Sequence, residues 1–393
     1  MDMAVSREPS SGPGDGRATT PSFRAVSAAL LRRILDSGPC TITELADGAK
    51  VSRPTVRRGL DHLEHVQLVS PAGHRVPESG RPAEEYELGP GEPRVVGVDV
   101  RPTSTHLTCL STTGRFHGRR DLHHDDIDDE HRLSGLLAAI DDLRQDGAAP
   151  LAIVLGIPGI VGADGSVLLS RMVPSWTGLA LRERVTARFP TAHVRIENDM
   201  NLRALAEMHG GAAEGLADFV YLTDHGWLRP AVVLGGEVRH GAQHVLGEDN
   251  GLARAGVVPR MLRHGSEEWL FRDVALDLEA GRLDNSWLVP FHRAWADVLH
   301  VIRYLLDPEA VIIDGPPATT GTAELEDLRD RLAEHCTIGE TPKILAGRRG
   351  EDVTLSGALT LALRDALRVL LQVEDPPVPP IHDGTTTARK GRA

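Results

Sequence analysis

Ser52-Arg53-Pro54-Thr55-Val56-Arg57-Arg58-Gly59-Leu60-Asp61-His62-Leu63 is the stretch on which the N-terminal fold turns. Ser52 suits an N-cap, because its hydroxyl can accept from a free first-turn amide. Pro54 falls in that first turn, where a missing N–H costs little. Val56, Leu60 and Leu63 recur at i, i+4 and i+7 and form an apolar face, while Thr55, Arg58 and His62 lie opposite. A helix with apolar backing and an Arg/Thr front is what a DNA major groove admits.

The flanks agree. Val26, Leu30 and Ile34 mark an earlier amphipathic helix that Gly38-Pro39 stops. Thr41-Ile42-Thr43-Glu44 fits a capping box and predicts a short helix from Ile42 to about Gly48. Leu68-Val69 and Tyr86-Glu87-Leu88 read as two short strands, with Arg75, Gly80, Arg81 and Pro82 between them. A Gly-Arg-Pro tip can carry a guanidinium into a minor groove with little backbone bulk. Residues 21–90 are thus predicted to form a winged helix-turn-helix. Arg58 and Thr55 are the candidates for base contacts. Arg53, Arg57 and Arg81 are candidates for phosphate or wing contacts, and Ser52 and His62 share the reading surface. The plain alternative is a small helical adaptor with a β-hairpin and incidental arginines.

A chain of 393 residues exceeds one core and implies two or three domains. Residues 1–20 are polar and Gly/Pro/Ser-rich, without the apolar centre of a secretion signal, and are expected to be disordered. Cys40, Cys109 and Cys336 are widely spaced, so neither a disulfide framework nor a cysteine-rich metal site is expected, and a reducing cytoplasm is the default. The net charge of −13 argues against a chain that coats nucleic acid along its whole surface. It leaves room for a local basic head, because screening confines attraction to roughly 10 Å. No apolar run is long enough to span a bilayer.

After the linker Gly89-Pro90-Gly91-Glu92-Pro93, strand candidates at Arg94–Val100, Leu151–Gly156, His193–Ile196, Phe219–Thr223 and Val311–Ile313 alternate with helical patterns such as Leu133–Leu143 and Trp295–Leu306. That alternation predicts an α/β body over 94–372. The Pro-rich, then polar, tail over 375–393 is expected to be disordered. Asp121-Leu122-His123-His124-Asp125-Asp126 through His131 fits no metal spacing and reads as a solvated acidic loop. Cys109 reads as a small buried apolar residue.

Head and body together resemble a transcriptional regulator of the ROK (repressor, open reading frame, kinase) family. The resemblance runs from about residue 22 to 370. It rests on Gly156-Ile157-Pro158-Gly159-Ile160-Val161, Trp176, Glu197-Asn198-Asp199, Ala206-Glu207, Gly210-Gly211-Ala212-Ala213, Gly235 to Ala242, Gly247-Glu248, Leu306-Asp307-Pro308-Glu309 and Gly357-Ala358, in family order. It implies two actin-like (ribonuclease H-like) lobes around a cleft. It also implies sugar contacts from Asn198, Asp199 and Glu248, with Asp199 at the catalytic-base position.

The phosphate-gripping parts depart from the family pattern. Asp-x-Gly-x-Thr-Lys reads Asp99-Val100-Arg101-Pro102-Thr103-Ser104, and Pro102 has no amide hydrogen. The Gly-rich second loop reads Asp224-His225-Gly226-Trp227-Leu228-Arg229-Pro230-Ala231, and the adenosine-side glycines read Asp314-Gly315-Pro316-Pro317. Phosphoryl transfer needs such loops, so kinase activity is not expected and no cofactor is implied. The histidine of Gly-Glu-x-Gly-His is missing from Gly247-Glu248-Asp249-Asn250-Gly251, and Val257–Trp269 lacks the cysteine-rich zinc loop, so no metal is implied. Alternatively, Asn198 or Asp199 simply caps the following helix.

The expected function is a regulator, by family habit a repressor, that binds palindromic double-stranded promoter DNA as a homodimer or dimer of dimers and senses a sugar-like effector. The alternatives are a regulator that uses its body only for dimerisation, and a DNA-tethered sugar kinase.

Overall fold

The computed structural model describes residues 22–76, 82–124, 129–144, 149–224, 228–247, 256–257, 261–315, 322–336, 338–348, 350 and 352–381. The first unit holds α1 (Phe23–Ser37), β1 (Cys40–Thr41), α2 (Ile42–Ala49), α3 (Arg53–His65), β2 (Val69–Arg75) and β3 (Ala83–Leu88). Its caps form as the local chemistry requires. Thr41 Oγ1 accepts from Glu44 N at 3.3 Å while Glu44 Oε2 accepts from Thr41 N at 2.8 Å. Ser52 Oγ accepts from Thr55 N at 3.4 Å. The strands pair in the order β1-β3-β2. Val26, Leu30, Ile34, Val56, Leu60 and Leu63 all point into one core.

The body opens with β4 (Arg94–Val100), β5 (Ser104–Ser111) and β6 (Phe116–His123), then α4 (Asp129–Asp142), β7 (Ala152–Ile157), the short β8 (Ile160–Val161) and β9 (Val167–Leu169), α5 (Leu181–Arg188), β10 (His193–Asn198) and α6 (Asp199–Met208). The second lobe contains β11 (Phe219–Asp224), β12 (Leu228–Leu234), β13 (Glu237–Arg239), the hairpin β14 (Met261–His264) and β15 (Glu267–Leu270), α7 (Phe271–Glu279), α8 (Leu288–Leu306), β16 (Ala310–Asp314), α9 (Thr322–His335) and β17 (Lys343–Ala346). The last helix is α10 (Val353–Leu371).

The two five-stranded sheets share one pattern. In β10-β7-β4-β5-β6, three consecutive strands pair antiparallel and two more add in parallel, and β13-β12-β11-β16-β17 repeats it. Two related α/β lobes are the outcome. α10 lies across β4, β7 and β5 of the first sheet and crosses α6, which packs on β12 of the second.

Three findings differ from the sequence reading. First, the head does not close its own core: Leu367 and Leu371 of α10 complete it. Second, the tail packs beyond Asp375. Pro376, Pro377 and Pro379 are buried, because each lays its ring on the body without needing a partner for an N–H. The expected disorder over 375–393 is therefore corrected as far as residue 381. Third, Asp121, Leu122 and His123 end strand β6 instead of forming a loop, and Asp121 Oδ1 pairs with His106 Nδ1 at 2.6 Å and Arg119 Nε at 3.0 Å.

The linker is clamped. Gly89 N and Gly91 N donate to Leu68 O and Gln67 O at 2.9 and 2.8 Å. Thr113 Oγ1 donates to Gly89 O at 3.2 Å, and Thr112 N to Pro93 O at 2.9 Å. Head and body are thus stitched through the β5–β6 turn.

Candidate functional site

On α3 the side chains divide. Arg53, Arg57 and Arg58 are exposed; Thr55 and His62 are half-buried. Thr55 Oγ1 lies 2.8 Å from Ser52 Oγ, so both hydroxyls already have one partner. Arg58 stands over the Phe23 ring at 5.9 Å, and His62 packs on the same ring at 5.4 Å, so α1 orients both. Arg57 points elsewhere: Nη1 donates to Tyr86 Oη at 3.2 Å beside Glu84, which binds that hydroxyl at 2.9 Å. Burial, with Glu84 second, pushes the Tyr86 phenol up to about 12. Arg75 is tied to Glu44 at 2.6 Å, to Glu85 and to Pro39 O at 3.2 Å. The expected tip residues Gly80 and Arg81 lie outside the described residues.

Between the lobes, Asn198 and Asp199 are already engaged by the protein itself. Asn198 is the N-cap of α6: its Oδ1 accepts from Met200 N at 2.7 Å and Asn201 N at 3.2 Å, and its Nδ2 donates to Gly159 O at 2.9 Å. The capping alternative is what the structure shows for this side chain. Asp199 is paired with Arg229 Nη1 at 3.1 Å. Arg229 thus occupies the carboxylate that the family resemblance leads us to expect as a base. Glu248, and His225, Gly226 and Trp227 of that loop, lie outside the described residues.

The first loop is closed from both sides. Arg101 Nε binds Asp99 Oδ2 at 2.7 Å, and Arg132 Nη1 donates to Pro102 O at 3.0 Å. Burial raises the Asp99 carboxyl above its ordinary value, against the pull of Arg101. At the back of the cleft, Arg203 Nη1 and Tyr221 Oη both donate to Asp314 Oδ2 at 2.6 Å, and Arg203 Nε donates to Thr354 Oγ1 of α10 at 3.1 Å.

Sequence reasoning missed a further pair. Glu197 of the first lobe meets His240, just after β13 of the second, at 2.9 Å, while Asn201 Nδ2 donates to its other oxygen at 2.9 Å. Burial would raise the Glu197 carboxyl, but His240 and Asn201 hold it below its ordinary value. Hydrogen bonding to Glu197 raises the imidazole above its ordinary 6.5, against burial. The signs follow from linkage. The histidine's contribution is complete below its unfolded value and is lost as pH rises through the raised one. The glutamate's is present above its unfolded value and is lost as pH falls through the lowered one. The difference in melting temperature between the native chain and His240→Gln should therefore be greatest in mildly acidic buffer and shrink in alkaline buffer. A pH-independent difference would refute the pair's role.

Residues 95–250 match the family model described as ROK family. A kanosamine kinase of Amycolatopsis mediterranei (strain S699) is 28% identical over 305 residues, covering 69% of this chain and 97% of the kinase. A xylose repressor of Caldicellulosiruptor bescii is 22% identical over 224 residues, 56% of each chain. Among solved structures, a ROK family transcriptional regulator, homolog of the E. coli MLC protein, superposes with a TM-score of 0.65 at 18% identity over 89% of this chain and 99% of that one. A ROK hexokinase from Thermus thermophilus gives 0.53 at 22% identity, over 69% and 97%. These structural likenesses show the fold. No helix among the described residues is long and apolar enough to cross a membrane.

Proposed function

From the match of residues 95–250 to the ROK family model, we propose that the chain is a DNA-binding transcriptional regulator, acting as a repressor, whose kinase-like body no longer transfers phosphate. The observation that carries this reading is the exposed Arg53 and Arg58 edge of α3, a helix that starts on a capping serine and a proline and is backed by an apolar core that α10 completes. The regulator's 89% coverage adds support, since residues 94–381 alone are too few to reach it.

Two heads on a homodimer, or on a dimer of dimers, would meet palindromic half-sites about 34–36 Å apart or at multiples of that spacing. Arg58 reads a base edge, with Thr55 beside it. Arg53 and Arg81 serve phosphates or the wing, and Arg57 braces the helix against β3. Ser52 starts the reading helix, and His62 with Phe23 holds Arg58 in place.

The Arg229–Asp199 pair supports loss of the kinase reaction. A general base must be free to take the acceptor's proton, and here it is salt-bridged. A sugar-like effector using Asn198, Asp199 and Glu248 would first have to displace Arg229. The engagement of Asn198 and Asp199 by the protein itself therefore favours a body whose main task is assembly and transmission.

Gel retardation with the chain's own promoter region is the test. Arg58→Ala should weaken specific binding by roughly 10- to 100-fold, about 1–3 kcal/mol, and leave non-specific affinity within a few fold. Failure to retard any promoter fragment would end the reading. So would ATP-dependent sugar phosphorylation that disappears in Asp199→Asn.

A further inference from the structure

We propose that the cavity between α10, the end of α6, the β12–β13 turn and the C-terminal segment binds a small carboxylate- or phosphate-bearing metabolite, at a site separate from the interlobe cleft. The cavity measures about 790 Å³, within the usual span of small-molecule sites, about 300–1,000 Å³.

Its chemistry comes from one face of α10. Arg364 and Arg368 follow at four-residue spacing, Gln372 caps the helix just beyond them, and all three line the cavity. Arg364 Nη2 holds Glu237 Oε1 at 2.8 Å, yet its Nε is buried without a hydrogen-bond partner. A buried guanidinium N–H left in that state costs free energy that an acceptor would recover. Arg368 Nε is satisfied by a main-chain oxygen, Glu374 O, at 2.6 Å. Carboxylates and phosphates match the guanidinium fork in two-point fashion. His209 adds a neutral donor: burial, then the charge of Arg364, hold its imidazole below 6.5. Met208 and Val378 supply an apolar side.

The lid is the chain itself. Glu374 and Asp375 line the same cavity, and neither carboxylate makes a hydrogen bond among the described residues. They place negative charge where the ligand's would go, so ligand and lid compete. Leu367 and Leu371, on the adjoining face of the same helical turns, sit in the head's core. An occupant that shifts α10 is felt there. The site stands on its own geometry, and only its effect on DNA affinity rests on the regulatory reading.

Calorimetric titration of the full chain with citrate, inorganic phosphate and glucose, at fixed ionic strength and without DNA, tests the site. Citrate or phosphate should bind saturably and glucose should not; the preferred anion distinguishes a carboxylate from a phosphate site. Arg364→Gln should weaken binding at least tenfold. Glu374→Gln combined with Asp375→Asn should tighten it several-fold, an opposite change that misfolding cannot imitate. No saturable binding of either anion, or binding indifferent to both variants, overturns the proposal and leaves the DNA reading untouched.

Discussion

Asp314→Ala is expected to destabilise the body by about 3–5 kcal/mol, the range for removing one partner of a buried ion pair. Asp314 is 6% exposed and accepts from Arg203 and Tyr221 on the same oxygen. Without it, the hydrogen bonds left to the Arg203 guanidinium among the described residues are those to Thr354 and, at 3.4 Å, to Tyr221. The Tyr221 phenol, raised first by burial and then also by Asp314, keeps only the first of these causes. Urea unfolding would read the loss as a lower midpoint. Replacing both charges, by Arg203→Met with Asp314→Leu, should recover most of it, since a well-packed apolar pair is often no worse than an ion pair. A loss below about 1 kcal/mol for the single variant would mean that water reaches Arg203 and the cleft is open there.

Gly357→Ala should cost about 3 kcal/mol or more, at or beyond the upper end for overpacking. Gly357 lies where α10 crosses α6, and a Cβ there would fall on the Leu202 carbonyl oxygen, with the Leu202 Cα at 3.0 Å. These are backbone atoms inside a helix, so neither can swing aside, and the two helices must separate. Gly135 in α4 supplies the control: a Cβ there meets nothing within 4 Å. Gly135→Ala should be neutral or stabilising by up to about 1 kcal/mol. Equal melting temperatures for the two variants would show that the crossing is loose.

The head was legible in the sequence because its signals are local. Thr41 with Glu44, and Ser52 with Thr55, act across three residues, and the 26/30/34 and 56/60/63 spacings write the buried faces directly. The buried strands Arg94–Val100 and Ala152–Ile157 were legible as continuous apolar runs. Strand β6, Phe116–His123, was not, because it lies at a sheet edge and carries two arginines and an aspartate. The departures of Arg101, Pro102 and Arg229 from the family pattern could be read in the sequence, but not what those arginines bind. Arg229 finds Asp199 thirty residues away, and Arg203 finds Asp314 at a separation of 111. Such partners are set by how the two lobes are brought together. The same holds for Leu367 and Leu371, whose helical pattern says that they are buried but not against what.

That last contact bears on how the protein is made. The N-terminal helices leave the ribosome first, yet their core lacks two leucines until the final helix has emerged. At about 5–20 residues per second that interval is on the order of tens of seconds. A nascent or truncated polypeptide that lacks α10 would hold an N-terminal unit with an incomplete core throughout.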